Sequence, residues 1–209
     1  MPPIYASDPF LAVQRALASP WLDFPMAVLS VACEGWVLAL LVGAVAWGRA
    51  RDLRVALREA GPALGALLAS GLAVQVLKHL AHTPRPVSVL GAARVHVVLE
   101  PLWLGAFPSG HAAAAAALAA WATLRRGSAA WPLLLLALAG GLSRVYVGAH
   151  WCTDVVAGWA VGALVGAAAW AIARAWDRRP ASGAPAYGRR HAARAGMGAP
   201  GTTSTSQPA

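Results

Sequence analysis

The stretch Thr153-Asp154-Val155-Val156-Ala157-Gly158-Trp159-Ala160-Val161-Gly162-Ala163-Leu164-Val165-Gly166-Ala167-Ala168-Ala169-Trp170-Ala171-Ile172-Ala173-Arg174-Ala175-Trp176 has one carboxylate near its head, one guanidinium near its foot and no charge between them. A hydrocarbon layer about 30 Å thick is crossed by roughly 20 apolar residues in a helix, so this stretch predicts a transmembrane helix. Gly158, Gly162 and Gly166 recur every fourth position, the pattern that lets a neighbouring helix come close. Working outward, Pro25–Gly48, Gly61–Leu80 and Ala130–Val147 read the same way. His111–Leu124 is shorter and reaches across with the Pro-Ser-Gly turn before it. The whole chain of 209 residues is 58% hydrophobic and only 12% charged, with a mean hydropathy of +0.57. Too little polar residue remains to give such helices a wet face, which excludes a soluble helical domain. The predicted fold is all-α, a polytopic transmembrane helical bundle of five spans.

The ends of the chain read differently. Residues 1–24 form an N-terminal interfacial segment. Within it Phe10–Ala18 is a short amphipathic helix with Phe10, Leu11, Val13 and Leu17 on one side. No basic start and apolar run marks a cleavable signal peptide. Residues 25–179 form the transmembrane domain. Residues 180–209, rich in Ala, Gly, Pro, Ser and Thr and carrying Arg189, Arg190 and Arg194, cannot bury a core and read as a disordered basic tail, either solvated or touching anionic lipid. Cys33 and Cys152 have neither metal-ligand nor disulfide-framework spacing. Trp21, Trp47, Trp103, Trp131, Trp151 and Trp176 fall near span ends, as in an aromatic belt.

Arginine placement sets an orientation. Arg49, Arg51, Arg54 and Arg58 follow the first span, Arg125 and Arg126 the third, and Arg174, Arg178 and Arg179 the last. With five alternating helices these fall on one side, which the positive-inside rule makes cytoplasmic. The net charge of +9 mostly reflects these residues. No stacking aromatics accompany them, so no nucleic-acid partner is expected.

Three motifs gather on the opposite side. Lys78-x6-Arg85-Pro86 closes the second span; Lys78 is the only lysine in the chain. An isolated lysine there would be read as snorkelling, but Lys beside Arg divides phosphate binding into a point charge and a planar fork. Pro108-Ser109-Gly110-His111 opens the third span. Ser109 is a good N-cap, Gly110 leaves the backbone open to a ligand, and a helix N-terminus suits phosphate. Ser143-Arg144-x5-His150-x3-Asp154 joins the last two spans. The His150–Asp154 spacing places both on one helical face, where a carboxylate fixes the imidazole tautomer and sharpens the free nitrogen.

In order and internal spacing, these motifs resemble the type 2 phosphatidic acid phosphatase superfamily, which also holds vanadium haloperoxidases and the glucose-6-phosphatase group. The resemblance covers Lys78 to Asp154. It implies a membrane lipid phosphatase working through a phosphohistidine. His150 would be the nucleophile and Asp154 its orienting partner. His111 would be the acid and then the base. Lys78, Arg85, Ser109, Gly110 and Arg144 would form the phosphate cradle. No metal or other cofactor is expected, since these groups meet the charge of the phosphoryl group. The expected partners are the lipid bilayer and a membrane lipid phosphate or diphosphate: an undecaprenyl diphosphate, a phosphatidylglycerol phosphate, a phosphatidic acid or a lipid A phosphate. The implied site lies in the cytoplasmic membrane and faces outward. A phosphotransferase passing the group to an alcohol or sugar is the alternative, with a non-catalytic lipid binder or transporter as a third. A haloperoxidase is disfavoured because those enzymes are soluble.

Several residues stay open. Glu34 lies inside the first span, where a carboxylate is either functional or paired for structure. His79, His82 and His96 read as loop or supporting residues. Arg94 and Glu100 lie where a head group would sit.

Overall fold

In the computed structural model, residues 7–99 and 105–178 are described, and among them all regular structure is helical. The expectations for the tail beyond residue 180, for Glu100 and for Trp103 fall outside these residues. The helices are α1 Phe10–Leu17, α2 Pro20–Ala32, α3 Gly35–Ala50, α4 Leu53–Ala81, α5 Pro86–Leu90, α6 Gly110–Arg126, α7 Trp131–Tyr146 and α8 Cys152–Asp177. The chain divides into two compact units, Met1–Arg174 and Ala175–Ala209; the features below belong to the first.

Three helical runs are long and apolar enough to cross a membrane: Leu53–Leu90, Gly110–Tyr146 and Cys152–Asp177. Pro20–Ala32 and Gly35–Ala50 form a fourth when taken as one span broken by a bend of 69°. The span expected over Pro25–Gly48 falls on this broken pair. Glu34 takes an extended backbone (φ −64°, ψ 138°) between the two pieces and interrupts the helical ladder. The run Gly110–Tyr146 holds two helices joined by the 3-10 turn Gly127–Ala130, and α6 packs back on α7.

α6 is the centre of the bundle. Its residues from Ala112 to Ala119 are all buried. Alanines and glycines leave little side chain between backbones, so neighbours approach closely and dispersion contacts replace bulk. α8 uses this most. A Cβ at Gly158 would lie 2.5 Å from the Ser109 carbonyl oxygen, one at Gly162 2.1 Å from that of Ala113, and one at Gly166 2.2 Å from that of Ala117. The small-residue stripe read from sequence is the seam between α8 and α6. Outward faces carry large apolar side chains, among them Phe24, Leu40, Leu72, Leu80, Leu164 and Ile172. That much exposed apolar surface suits lipid, not water. Trp21, Trp47 and Trp131 are exposed as a belt requires, but Trp151 is buried. Its indole lies edge-on to Phe10, with ring centroids 5.5 Å apart, and donates to the Pro84 carbonyl at 2.9 Å.

α1 forms as expected but is tied into the bundle. Phe10 and Gln14 are buried, and α1 packs on α7. Gln14 donates to the His96, Val145 and Tyr146 carbonyls and accepts from the His96 N–H at 2.9 Å. The far end of the bundle is basic: Arg49 of α3 and Arg125 and Arg126 of α6 line one cavity there with Glu59 and Trp121.

Candidate active site

The three motifs meet at the N-terminus of α6. α4 ends at Ala81, with His82 left-handed (φ 45°), and the chain runs to Arg85, which caps α5. Lys78, in the last turn of α4, donates through Nζ to the Gly105 carbonyl at 2.7 Å. Arg85 donates through Nη2 to that same carbonyl at 3.3 Å and through Nη1 to the Ala149 carbonyl at 2.8 Å. Gly105 therefore fixes both cations of the first motif. Its φ of +70° is one that L side chains rarely adopt.

Ser109 caps α6. Its Oγ accepts from the Ala112 N–H at 3.5 Å, and its own N–H donates to the Asp154 carbonyl at 3.0 Å. The second and third motifs are thus joined through backbone. A Cβ at Gly110 would meet only Val74, at an ordinary 3.7 Å. Packing does not demand a glycine there.

α7 ends by turning back on itself. The Arg144 carbonyl accepts from the Ala149 N–H at 3.1 Å and the His150 N–H at 3.2 Å. That turn holds the Arg144 and His150 backbones together. His150 does not share a helical face with Asp154, as the spacing predicted. It precedes α8, which starts at Cys152, and Asp154 lies in the first helical turn. The two meet because Asp154 Oδ2 accepts from the Trp151 N–H at 2.9 Å, which holds the carboxylate 3.4 Å from His150 Nδ1. Both side chains are buried.

The proton on His150 follows from its neighbours. Nε2 lies 3.4 Å from Arg85 Nη1. A guanidinium can only donate, so Nε2 is the acceptor and Nδ1 carries the hydrogen toward Asp154. This leaves the Nε2 lone pair on the side of the cations. Burial, then Arg85, Arg144, Lys78 and His111, hold the imidazole neutral and push its pKa well below the usual 6.5. Arg144 is buried and its guanidinium donates through Nη1 to Ser30 Oγ. Its Nε–H has no hydrogen-bond partner among the described residues. A buried donor without a partner is costly, and an anion would satisfy it. Ser143 donates to the Gly140 carbonyl of its own helix at 2.7 Å. His111 is partly exposed, with Nε2 3.9 Å from Glu34 Oε1.

Asp8 and Asp23 also hold this end of the bundle, with no local signal in the sequence. Asp8 Oδ1 accepts from the Cys152 N–H at 3.1 Å and Oδ2 from the Thr153 N–H at 2.8 Å, so the N-terminal segment caps α8 from afar. Asp23 binds His96 Nε2 at 2.8 Å and accepts from the Tyr146 hydroxyl at 2.6 Å. His79 bonds the Gln75 carbonyl of its own helix, and Arg94 is exposed. His79, His82 and His96 do not join the cluster.

The profile of the PAP2 superfamily matches residues 59–178. The chain belongs to the PAP2 superfamily. As a PAP2 protein with these exposed apolar helices, it is an integral membrane protein. This PAP2 chain is 38% identical, over 65% of its length and 70% of the relative's, to decaprenylphosphoryl-5-phosphoribose phosphatase of Mycobacterium tuberculosis. It is 32% identical to undecaprenyl-diphosphatase BcrC of Bacillus subtilis, over 46% of this chain and 49% of that protein; it thus spans about half of that relative. The crystal structure of Aquifex aeolicus LpxE is similar, with a TM-score of 0.63 and 27% identity, over 77% of this chain and 91% of the other. The fold of a transmembrane PAP2 type phosphatidylglycerolphosphate phosphatase from Bacillus subtilis also matches, with a TM-score of 0.59 and 21% identity over 80% and 84% of the two chains. The mycobacterial relative and the two Bacillus proteins carry phosphatase names.

Proposed function

We propose that this PAP2 protein is a lipid phosphatase of the cytoplasmic membrane that hydrolyses a polyprenyl-linked or phosphatidyl-type phosphate or diphosphate. One observation carries the reading. The unprotonated Nε2 of His150 faces the guanidinium of Arg85, while the buried Nε–H of Arg144 lacks a partner among the described residues. A phosphoryl group seated there is attacked by Nε2. The N–P bond forms as the P–O bond to the lipid breaks, and His111 donates a proton to the leaving oxygen. Asp154 holds Nδ1–H and stabilises the charge on the ring. Lys78, Arg85, Arg144 and the amides beyond Ser109 and Gly110 hold the phosphoryl oxygens. Water, deprotonated by His111, then attacks phosphorus and releases His150. The mycobacterial and Bacillus names favour a polyprenyl carrier.

We read the phosphatase domain as residues 25–179. Five crossings follow when the bent pair, α4, α6, α7 and α8 each cross once. The arginine end then lies in the cytoplasm, and the site opens outward. The deciding experiment measures phosphate release from a panel in detergent: polyprenyl phosphate and diphosphate, phosphatidic acid and phosphatidylglycerol phosphate. Turnover of at least one is expected. Release only when an alcohol acceptor is added would identify a phosphotransferase.

A further inference from the structure

The break in the first span has a position that its own helices do not explain. An interrupted ladder inside an apolar layer leaves backbone groups unpaired, and it is tolerated where it lines a polar site. Glu34 sits at the break as the N-cap of α3, yet its side chain does not cap that helix. A carboxylate normally takes those free amides. Instead Oε2 accepts from the Trp36 indole N–H, and Oε1 lies 3.9 Å from His111 Nε2. Arg144 from α7, Lys78 from α4 and Arg85 from the start of α5 bring positive charge toward the His111 ring, and His150 faces it from the turn before α8. Glu34 also acts on Arg144.

We infer that Glu34, held by Trp36 at the break between α2 and α3, is a positioning residue that orients the His111 ring for proton transfer to the leaving oxygen. With Nε2 turned to the carboxylate, Nδ1 faces the substrate. In the first half-reaction Nδ1–H passes its proton to the oxygen that leaves phosphorus. In the second, Nδ1 takes a proton from the attacking water as the N–P bond of His150 breaks. Glu34 keeps its charge throughout; it fixes the ring and counters the positive form. The separation of 3.9 Å is a loose pairing that tightens once substrate is bound, as catalytic contacts commonly do. The inference rests on the acid–base role of His111 proposed above.

Leaving-group dependence tests it. Full-length protein in detergent is assayed for kcat/KM on an alkyl lipid phosphate and on p-nitrophenyl phosphate, whose leaving oxygen needs no proton. Glu34→Gln keeps the shape and the acceptor for Trp36. It is expected to lose about 10-fold or more on the alkyl substrate and less than about 3-fold on the aryl one, a fraction of the 10²–10⁴ typical of acid–base catalysis. Trp36→Phe, at an exposed position, loosens the tether and shows the same selectivity to a smaller degree. Equal losses on both substrates, or none, overturn the inference; equal losses would instead mean that Glu34 serves phosphate binding through Arg144. His111→Asn is the reference. If it too loses both substrates equally, the acid assignment itself fails. A selective His111→Asn beside an indifferent Glu34→Gln overturns the role of Glu34 alone.

Discussion

His150 has partners of opposite character on its two ring nitrogens, a carboxylate at Nδ1 and a guanidinium at Nε2. Removing the ring and removing its carboxylate partner are therefore different experiments. His150→Ala deletes the proposed nucleophile and should cut phosphate release by at least about 10³-fold while the protein still inserts. Asp154→Asn keeps an acceptor for the Trp151 N–H but gives up the charge that stabilises the ring. A loss of about 10²–10⁴-fold in kcat is expected, as for other wrong-tautomer variants. Activity should survive EDTA, because Lys78, Arg85 and Arg144 already meet the phosphoryl charge; loss in chelator restored by Mg²⁺ would refute this. His150 also sets a pH dependence. Its folded pKa lies well below 6.5, so below about pH 6.5 the unfolded chain binds a proton that the folded chain refuses. The folded state is at its full stability above that pH and loses it on acidification, by at most about 1.4 kcal/mol per pH unit for one group. The thermal midpoint without substrate should drop between pH 7 and pH 5 more steeply for the natural protein than for His150→Gln.

At the scale of elements, the seam between α8 and α6 positions the chemistry. Gly158 lies against the Ser109 carbonyl, so the same close approach that packs the helices brings Asp154 to the cap of α6. Gly162→Ala would press a methyl onto the Ala113 backbone, which cannot swing aside as a side chain does. It should cost about 1–3 kcal/mol and lower kcat as well. Gly71→Ala, where nothing lies within 4 Å, is the control, and it should be neutral or gain about 0.5–1 kcal/mol. This seam was legible because small residues at a four-residue period have one physical use in a membrane helix. The motif residues were legible for a similar reason: cations, imidazoles and a capping serine at the heads of apolar runs have few other roles. The bend at Glu34 was not, since a carboxylate within an apolar run does not announce whether the helix bends for it. Nor was the burial of Trp151, which composition cannot tell from a belt residue. Asp8, Gln14 and Gly105 were missed because their partners lie far away in sequence and nothing local marks them.

For the whole molecule, the basic cavity and the candidate active site occupy opposite ends of α6, with Arg125 and Arg126 at its C-terminus and Ser109 and His111 at its N-terminus. Seventeen residues separate helix start from helix end, about 25 Å at 1.5 Å per residue, most of a hydrocarbon layer. In a background without Cys33 and Cys152, a cysteine at exposed Ala93 should react with a membrane-impermeant reagent in intact cells. One at exposed Arg54 should react only after permeabilisation. The reverse pattern would turn the site toward the cytoplasm. The clasp of Asp8 on α8 carries a consequence for how such a protein is made. Its two ends are 145 residues apart in sequence at Thr153, and the ribosome delivers them in that order. Residue 8 waits through the synthesis of nearly every helix before the amides it will hold exist. A nascent chain stalled before Cys152 carries Lys78, Arg85, Arg144 and His150 but neither Asp154 nor the amides that Asp8 clasps, so the proposed site closes in one step, late in biogenesis.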